Sequence, residues 1–274
     1  MSSLSISNIA WDVSEDEEIA AILLQRGVSR IDLAPSKYFP NLATVSATEV
    51  EHVRRRWNDR GISLIGMQSL LFGTTGLNVF GDSVCQDRLL SHLESVFKVG
   101  AELGITKAVF GSPRNRLRGA RGDSEALHEA VDFFRRAGDL AMHHGMILCL
   151  EPNPTIYGAD FMTNVDLTAS VAKAVAHPGI GMQWDTGAMF INQEDPATAM
   201  NGHASIVGHI HISEPQLAPI GSSGIDHAPM AQAMDRLAPH LTRTIEMLRP
   251  DGGPTAVALA IDAAQSAYGK AGQA

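Results

Sequence analysis

Four short apolar runs in the second half of the chain each end in a residue that can ionise. They are Ile147 to Leu150 before Glu151, Gly181 to Trp184 before Asp185, Gly208 to Ile210 before His211, and Arg243 to Ile245 before Glu246. Three carboxylates and one imidazole, if brought together, make a site for one divalent cation. An oxygen-rich set with a single histidine favours Mn²⁺ or Mg²⁺, while Co²⁺, Fe²⁺ and Zn²⁺ also accept such ligands. Three converging anions repel one another, and a dication offsets that repulsion. Any one of these acids alone reads equally well as a helix cap or a rim ion pair, so the argument rests on the set of four. If the runs are strands, residues two positions earlier point the same way, one layer deeper. Those residues are Cys149, Gln183, His209 and Thr244, all able to hydrogen-bond. Such a layer is what orients the ligands of a metal from behind. His209 also reads as an ordinary core histidine with satisfied hydrogen bonds.

Other residues are candidates for contact with a substrate. Arg114, Arg116, Arg118 and Arg121 fall within eight residues of an otherwise acidic chain. Guanidinium forks pair with phosphate or carboxylate, so Arg114 and Arg116 are candidates to hold an anionic group, a solvated loop being the plain alternative. Gln68, Asn153, Glu214 and His227 are placed as sugar-facing groups. Tyr157 could stack on a sugar ring or simply pack. Asp32, near the end of the second apolar run, could like Gln68 bond a sugar hydroxyl or be a rim polar residue; Lys37 is a weaker candidate on the following loop, and Asp226 reads as a helix cap. The remaining histidines (His52, His92, His128, His143, His144, His177, His203 and His240) read as surface residues. Residues 70–82, with two phenylalanines and three glycines, could form a lid. Met67 and Met182 read as core filler.

The elements that must carry these residues alternate along the whole chain. Strand patterns fall at 5–11, 29–35, 63–69, 107–112, 146–152, 179–187, 206–213 and 242–248. Helical patterns fall at 14–26, 48–60, 85–103, 125–144, 164–176, 197–204, 227–237 and 254–268. Ser14 opens the first with acids behind it, and Thr48 followed by Glu51 suggests a capping box. Gly104 and Gly145 follow the two longest helices as stops. Eight strand–helix pairs point to a parallel (β/α)₈ TIM barrel, a single domain over 1–274, with 270–274 as a loose tail. An open doubly wound sheet would show a glycine-rich phosphate loop after its first strand, and none follows residue 11. In a barrel of this kind the chemistry sits at the C-terminal ends of the strands, where the four ionisable residues stand.

Composition narrows the function classes. The chain has 274 residues and a formal net charge of −9, so a broad nucleic-acid face is not expected. Two cysteines, Cys85 and Cys149, are too few for a disulfide framework or a cysteine-rich zinc site. The first residues lack the basic and apolar regions of a signal peptide, and no apolar run is long enough for a membrane span. A cytoplasmic protein without membrane or nucleic-acid partners is the expectation.

The ordered fragments Leu150 to Asn153, Trp184 to Gly187, His209 to Pro215 and Thr244 to Glu246 resemble the xylose-isomerase-like TIM-barrel superfamily of sugar phosphate isomerases and epimerases. That superfamily also holds the family 2 endonucleases. In the ketose 3-epimerase branch, positions matching Glu151, Asp185, His211 and Glu246 bind one metal, and the two glutamates act as acid and base. The resemblance thus implies a metal-dependent isomerase or epimerase acting on a carbohydrate, and a homodimer or homotetramer. Chemically, a divalent ion chelating a carbonyl and its neighbouring hydroxyl acidifies the adjacent C–H. A carboxylate removes that proton, and the ion holds the enediolate until the proton returns. The chain departs from the branch at Ala188, where a histidine is usual, and at Leu217, where an arginine is usual, so a free hexulose pose is not expected. The alternatives are a keto-sugar or cyclitol lyase or dehydratase on the same metal, and a barrel that binds sugar without turning it over. A nuclease of endonuclease IV type would need more histidine ligands and a basic face.

Overall fold

The computed structural model describes residues 4–269 and shows a closed barrel of eight parallel strands in chain order. The expected tail at 270–274 lies outside the described residues. The strands are β1 (Leu4–Ser7), β2 (Arg30–Leu33), β3 (Ser63–Met67), β4 (Lys107–Phe110), β5 (Ile147–Leu150), β6 (Ile180–Asp185), β7 (Val207–Ile212) and β8 (Arg243–Ile245). Closure comes from β1 pairing with β8, with Leu4 opposite Arg243 and Ile6 opposite Ile245.

Alternation along the strands decides what the barrel encloses. Leu4, Ile6, Ile31, Leu33, Ile210, Ile212 and Ile245 are buried members of the hydrophobic core. The residues between them are polar and equally buried: Ser5, Asp32, His209, His211 and Thr244. A side-chain period of two sends these two sets to opposite faces of the sheet. Barrel interiors are usually filled by bulky branched side chains. Here the filling is polar and hydrogen-bonded, as in the Ser5 to Thr244 hydroxyl contact of 2.9 Å.

Around the barrel run α1 (Asp16–Gln25), α2 (Ala47–Asn58), α3 (Ser83–Leu103), α4 (Asp123–His143), α5 (Val165–Val175), α6 (Thr186–Asn192), α7 (Pro196–Ala199), α8 (Ala228–Leu237) and α9 (Gly253–Tyr268). Gly104 stops α3 in the left-handed conformation at φ 80°, as its position suggests. Several expectations shift. The capping box of α2 is made by Ser46 with Glu49, two residues before Thr48 and Glu51. The helix expected at 197–204 shrinks to the single turn of α7. The extra helix α6 starts directly at the end of β6, inside the stretch read as strand, because Asp185 caps it by accepting from the Ala188 N–H. The strand patterns overran their C-terminal ends. After β1, for instance, Ser7 caps a short 3₁₀ turn, and the Asn8 side chain accepts from Ala34 N–H across to β2. Among the described residues no helix is long and apolar enough to cross a membrane.

Candidate metal and sugar site

Glu151 directly follows β5, Asp185 ends β6, His211 lies in β7 and Glu246 directly follows β8. Parallel registry brings them level, with Asp185 opposite His211. One ligand atom from each of the four lies within 4.8 Å of all the others. His211 Nδ1 is 3.3 Å from Glu151 Oε1 and 3.2 Å from Glu246 Oε2. Both ring nitrogens of His211 are buried without a directed hydrogen bond.

Each glutamate is held by an amide. Gln183 donates to Glu151 Oε1 at 2.7 Å, and Gln68 donates to Glu246 Oε1 at 2.8 Å. Asp185 accepts from the Ser213 hydroxyl at 3.0 Å and from Ala188 N–H at 2.6 Å. Behind the ligands runs a chain of polar groups. The Gln183 carbonyl oxygen is 2.9 Å from His209 Nδ1, which therefore donates to it. His209 Nε2 lies 2.8 Å from Asp32 Oδ2, and the same oxygen is 3.7 Å from His211 Nε2. The His209 to Asp32 contact is close enough for an ion pair, but the N–H is not aimed well enough for a directed hydrogen bond. Asp32 thus sits beneath the site, fully buried, with its charge shared by two imidazoles. Gly66 makes room for it: a Cβ there would come within 2.6 Å of Asp32 Oδ1.

Electrostatics follow from this crowding. Burial, reinforced by the nearby Glu151 and Glu246, holds the Asp185 carboxyl well above the usual carboxylate range. Burial also opposes charge on His211, yet the Glu246, Asp32 and Glu151 carboxylates win and raise its pKa well above the usual imidazole value. Asp32 and Glu246 are likewise disfavoured by burial but held below the usual range by the histidines, with Gln68 adding to the effect at Glu246. Three acids and an imidazole gathered within 4.8 Å, with two orphaned ring nitrogens among them, are a donor set that fits a divalent cation. His211 Nδ1 faces the carboxylates and Nε2 faces Asp32, the carboxylate–histidine arrangement that orients metal ligands.

The other candidates divide. Gln68, Arg114, Asn153, Tyr157 and Glu214 line the cavity above the cluster. Gln68 has a second task in gripping Glu246. Asn153 donates to Gly111 O at 2.6 Å, and Tyr157 Oη accepts from Gln216 N–H at 2.7 Å. Arg116 and His227 are not among the lining residues. Arg116 is fully buried, with one 3.4 Å bond to Phe110 O and with Nε and Nη2 unpartnered. Burial lowers its pKa to about 10 against the opposing pull of Glu151. Arg116 is thus a buried cation close enough to Glu151 to feel its charge, outside the cavity lining. His227 is tied between Tyr268 Oη at 2.7 Å and Glu214 at 3.2 Å, and so positions the loop that follows β7. Lys37 donates to Asn8 O at 2.8 Å and to Trp11 O, away from the cavity. Asp226 accepts from Ala228 N–H at 2.9 Å at the start of α8. His92, read as a surface residue, is half-buried and contacts Leu70 O at 2.8 Å, fastening the loop after β3. In the segment expected as a lid, residues 70–77 do line the cavity mouth, while Leu77 O and Val79 N–H are tied to Asn115.

Asp32 is the site residue whose role the sequence did not reveal. Its position in an apolar strand was visible, but its partners come from β7, far along the chain.

The family model described as the xylose isomerase-like TIM barrel matches residues 21–266. No protein of curated function matches the chain by sequence. Among solved structures, D-psicose 3-epimerase from Clostridium cellulolyticum superposes with a TM-score of 0.80 at 15% identity, covering 98% of this chain and 99% of that one. The 3-keto-D-glucoside 4-epimerase from E. coli gives 0.78 at 14% identity, covering 97% and 100%. The IOLI protein with a bound zinc atom gives 0.72 at 15% identity, covering 97% and 96%. At these identities the likeness is one of fold.

Proposed function

Because the chain belongs to the xylose isomerase-like TIM-barrel family, we propose that it is a divalent-metal-dependent isomerase or epimerase of a keto-sugar or sugar derivative. The observation that carries this reading is the meeting of Glu151, Asp185, His211 and Glu246 within 4.8 Å, with a separate amide clamp on each glutamate. Glu151, Asp185, His211 and Glu246 would hold the ion. When bound, it would supply Lewis-acid polarisation of a carbonyl and its neighbouring hydroxyl. Mn²⁺ or Mg²⁺ suits this oxygen-rich set, and a neighbour of the same fold carries zinc.

The chain's own residues would then move one proton. Glu151 and Glu246 come from strands that flank β6 and β7, so they approach a sugar from two sides. One carboxylate takes the proton from the carbon beside the carbonyl, and the other returns one, which inverts or relocates the centre. Gln183 and Gln68 fix the two carboxylates for that exchange, since proton transfer needs heavy atoms within hydrogen-bond reach. The neighbours' names, a psicose epimerase and a keto-glucoside epimerase, support a carbohydrate substrate with a carbonyl group. A lyase or dehydratase would start with the same proton abstraction, and a sugar-binding barrel would stop short of it.

The test is metal analysis of the purified chain together with NMR in deuterated buffer. One divalent ion per chain is expected, with solvent deuterium entering a keto-sugar beside its carbonyl. Turnover, read as inversion or relocation of the centre, should vanish in both Glu151→Gln and Glu246→Gln. A chain that takes up no divalent ion, or turnover that persists in both variants, refutes the assignment.

A further inference from the structure

The cavity above the four ligands has a volume of about 1060 Å³. That is just above the ~300–1,000 Å³ typical of pockets for drug-sized ligands. A free ketohexose fills on the order of 200 Å³, if each heavy atom takes somewhat less than the ~30 Å³ of a liquid water. The space is also one-sided. The loops after β3, β4, β5, β6 and β7 line it, whereas none of residues 8–12 after β1 or 34–39 after β2 does.

The chemistry of the walls divides in the same way. Glu151, Asp185 and Glu246 gather at the floor. The loops contribute Leu71, Phe72, Leu77, Pro113, Pro154 and Leu217 to the lining. Phe72 is 77% exposed at the mouth, an aromatic face with nothing packed over it. Ala188 and Leu217, which offer no hydrogen-bonding side chain, also line the cavity. Arg114 is the lone cation among the lining residues, and it is exposed, facing four lining carboxylates. A phosphorylated sugar would therefore find one exposed guanidinium as a counter-charge in the protein lining.

Resting on the reading above, we infer that the substrate is a keto-sugar carrying an apolar, ring-sized substituent. The sugar end lies at the carboxylates, and the substituent lies along residues 70–77 and Leu217. An aromatic group there would cover Phe72 and remove apolar surface from water.

The experiment compares two ligands that differ only in the substituent, phenyl and methyl 3-keto-β-D-glucopyranoside, by calorimetry on the full chain loaded with Mg²⁺. The phenyl glycoside is expected to bind at least tenfold more tightly. In Phe72→Ala, and separately in Leu217→Ser, that ratio should fall by threefold or more. Equal affinities in the unaltered chain overturn the inference, as does a ratio that survives both substitutions, or binding of neither glycoside. Tighter binding of glucose 6-phosphate than of the phenyl glycoside also overturns it. Deuterium exchange followed in the same samples separates the two levels. Exchange with equal affinities keeps the reaction and removes the apolar substituent. A phenyl preference without exchange keeps the substituent and removes the reaction.

Discussion

Gly111, the residue after β4, offers a test of the site that touches none of its ligands. A Cβ built on Gly111 would stand 1.7 Å from Glu151 Oε2 and 2.9 Å from its Cδ. Non-bonded heavy atoms settle near 3.5 Å, so in Gly111→Ala the carboxylate must retreat by about 1.5–2 Å. It cannot do so freely. Gln183 holds Oε1 at 2.7 Å, and Glu151 N–H donates to Phe110 O at 3.2 Å. The Gly111 carbonyl is in turn fixed by Asn153 at 2.6 Å. Gly111 does not use the left-handed backbone conformation, so alanine is tolerated by the main chain itself. The lower entropy of the unfolded chain even favours it by ~0.4–1 kcal/mol. The expected variant is folded, with a melting temperature within a few degrees of the parent, but with Glu151 displaced. Misplacement of a reacting group by ~1 Å costs on the order of 10²-fold in rate, so turnover of the keto-sugar should fall at least that far. Divalent-ion affinity, read by calorimetry, should weaken by more than tenfold. A Gly111→Ala protein that keeps parental ion affinity and turnover would refute the placement of Glu151 in the ligand set.

Asp32→Asn removes the charge that His209 and His211 share. Breaking a buried pair costs about 3 kcal/mol, which lowers Tm by roughly 6–12 °C in a chain of this size. Loss of an outer carboxylate partner should also weaken ion affinity about 10–100-fold. Unchanged affinity by calorimetry would show that Asp32 does not act through His211. Away from the site, Glu15 is held at a pKa of about 2, from 4.5, chiefly by its paired hydrogen bonds to Arg249. A depressed carboxylate contributes stability that is present above pH 4.5 and is lost as pH falls through about 2. The pair is partly solvated, so about 0.5–1 kcal/mol is the expected size. Urea titrations of Glu15→Gln and parent should differ by that amount at pH 6 and converge near pH 2. A constant difference across that window would refute the pairing.

The sequence determined the alternation of eight strands and helices, and with it the barrel. Period two within each strand is a local property, and it put Cys149, Gln183, His209 and Thr244 on one face, beneath the four ionisable residues, before any strand had a partner. The same reading placed Glu151, Asp185, His211 and Glu246 at one end. Local signals failed where two elements compete for the same residues. Asp185 ends a strand and caps α6 at once, so that helix was hidden inside a strand pattern. Tertiary structure alone decided which polar groups meet. The Gln68 grip on Glu246 spans 178 residues, and the Asp32 contact with His209 joins β2 to β7 across the barrel. Both depend on the register between strands, which strand patterning by itself does not encode. Arg116 makes the same point in the opposite direction. Its composition suggested an anion grip, but the short 3₁₀ turn after β4 buries it outside the cavity lining. Side-chain chemistry is written residue by residue, whereas access to solvent is a property of everything packed around it.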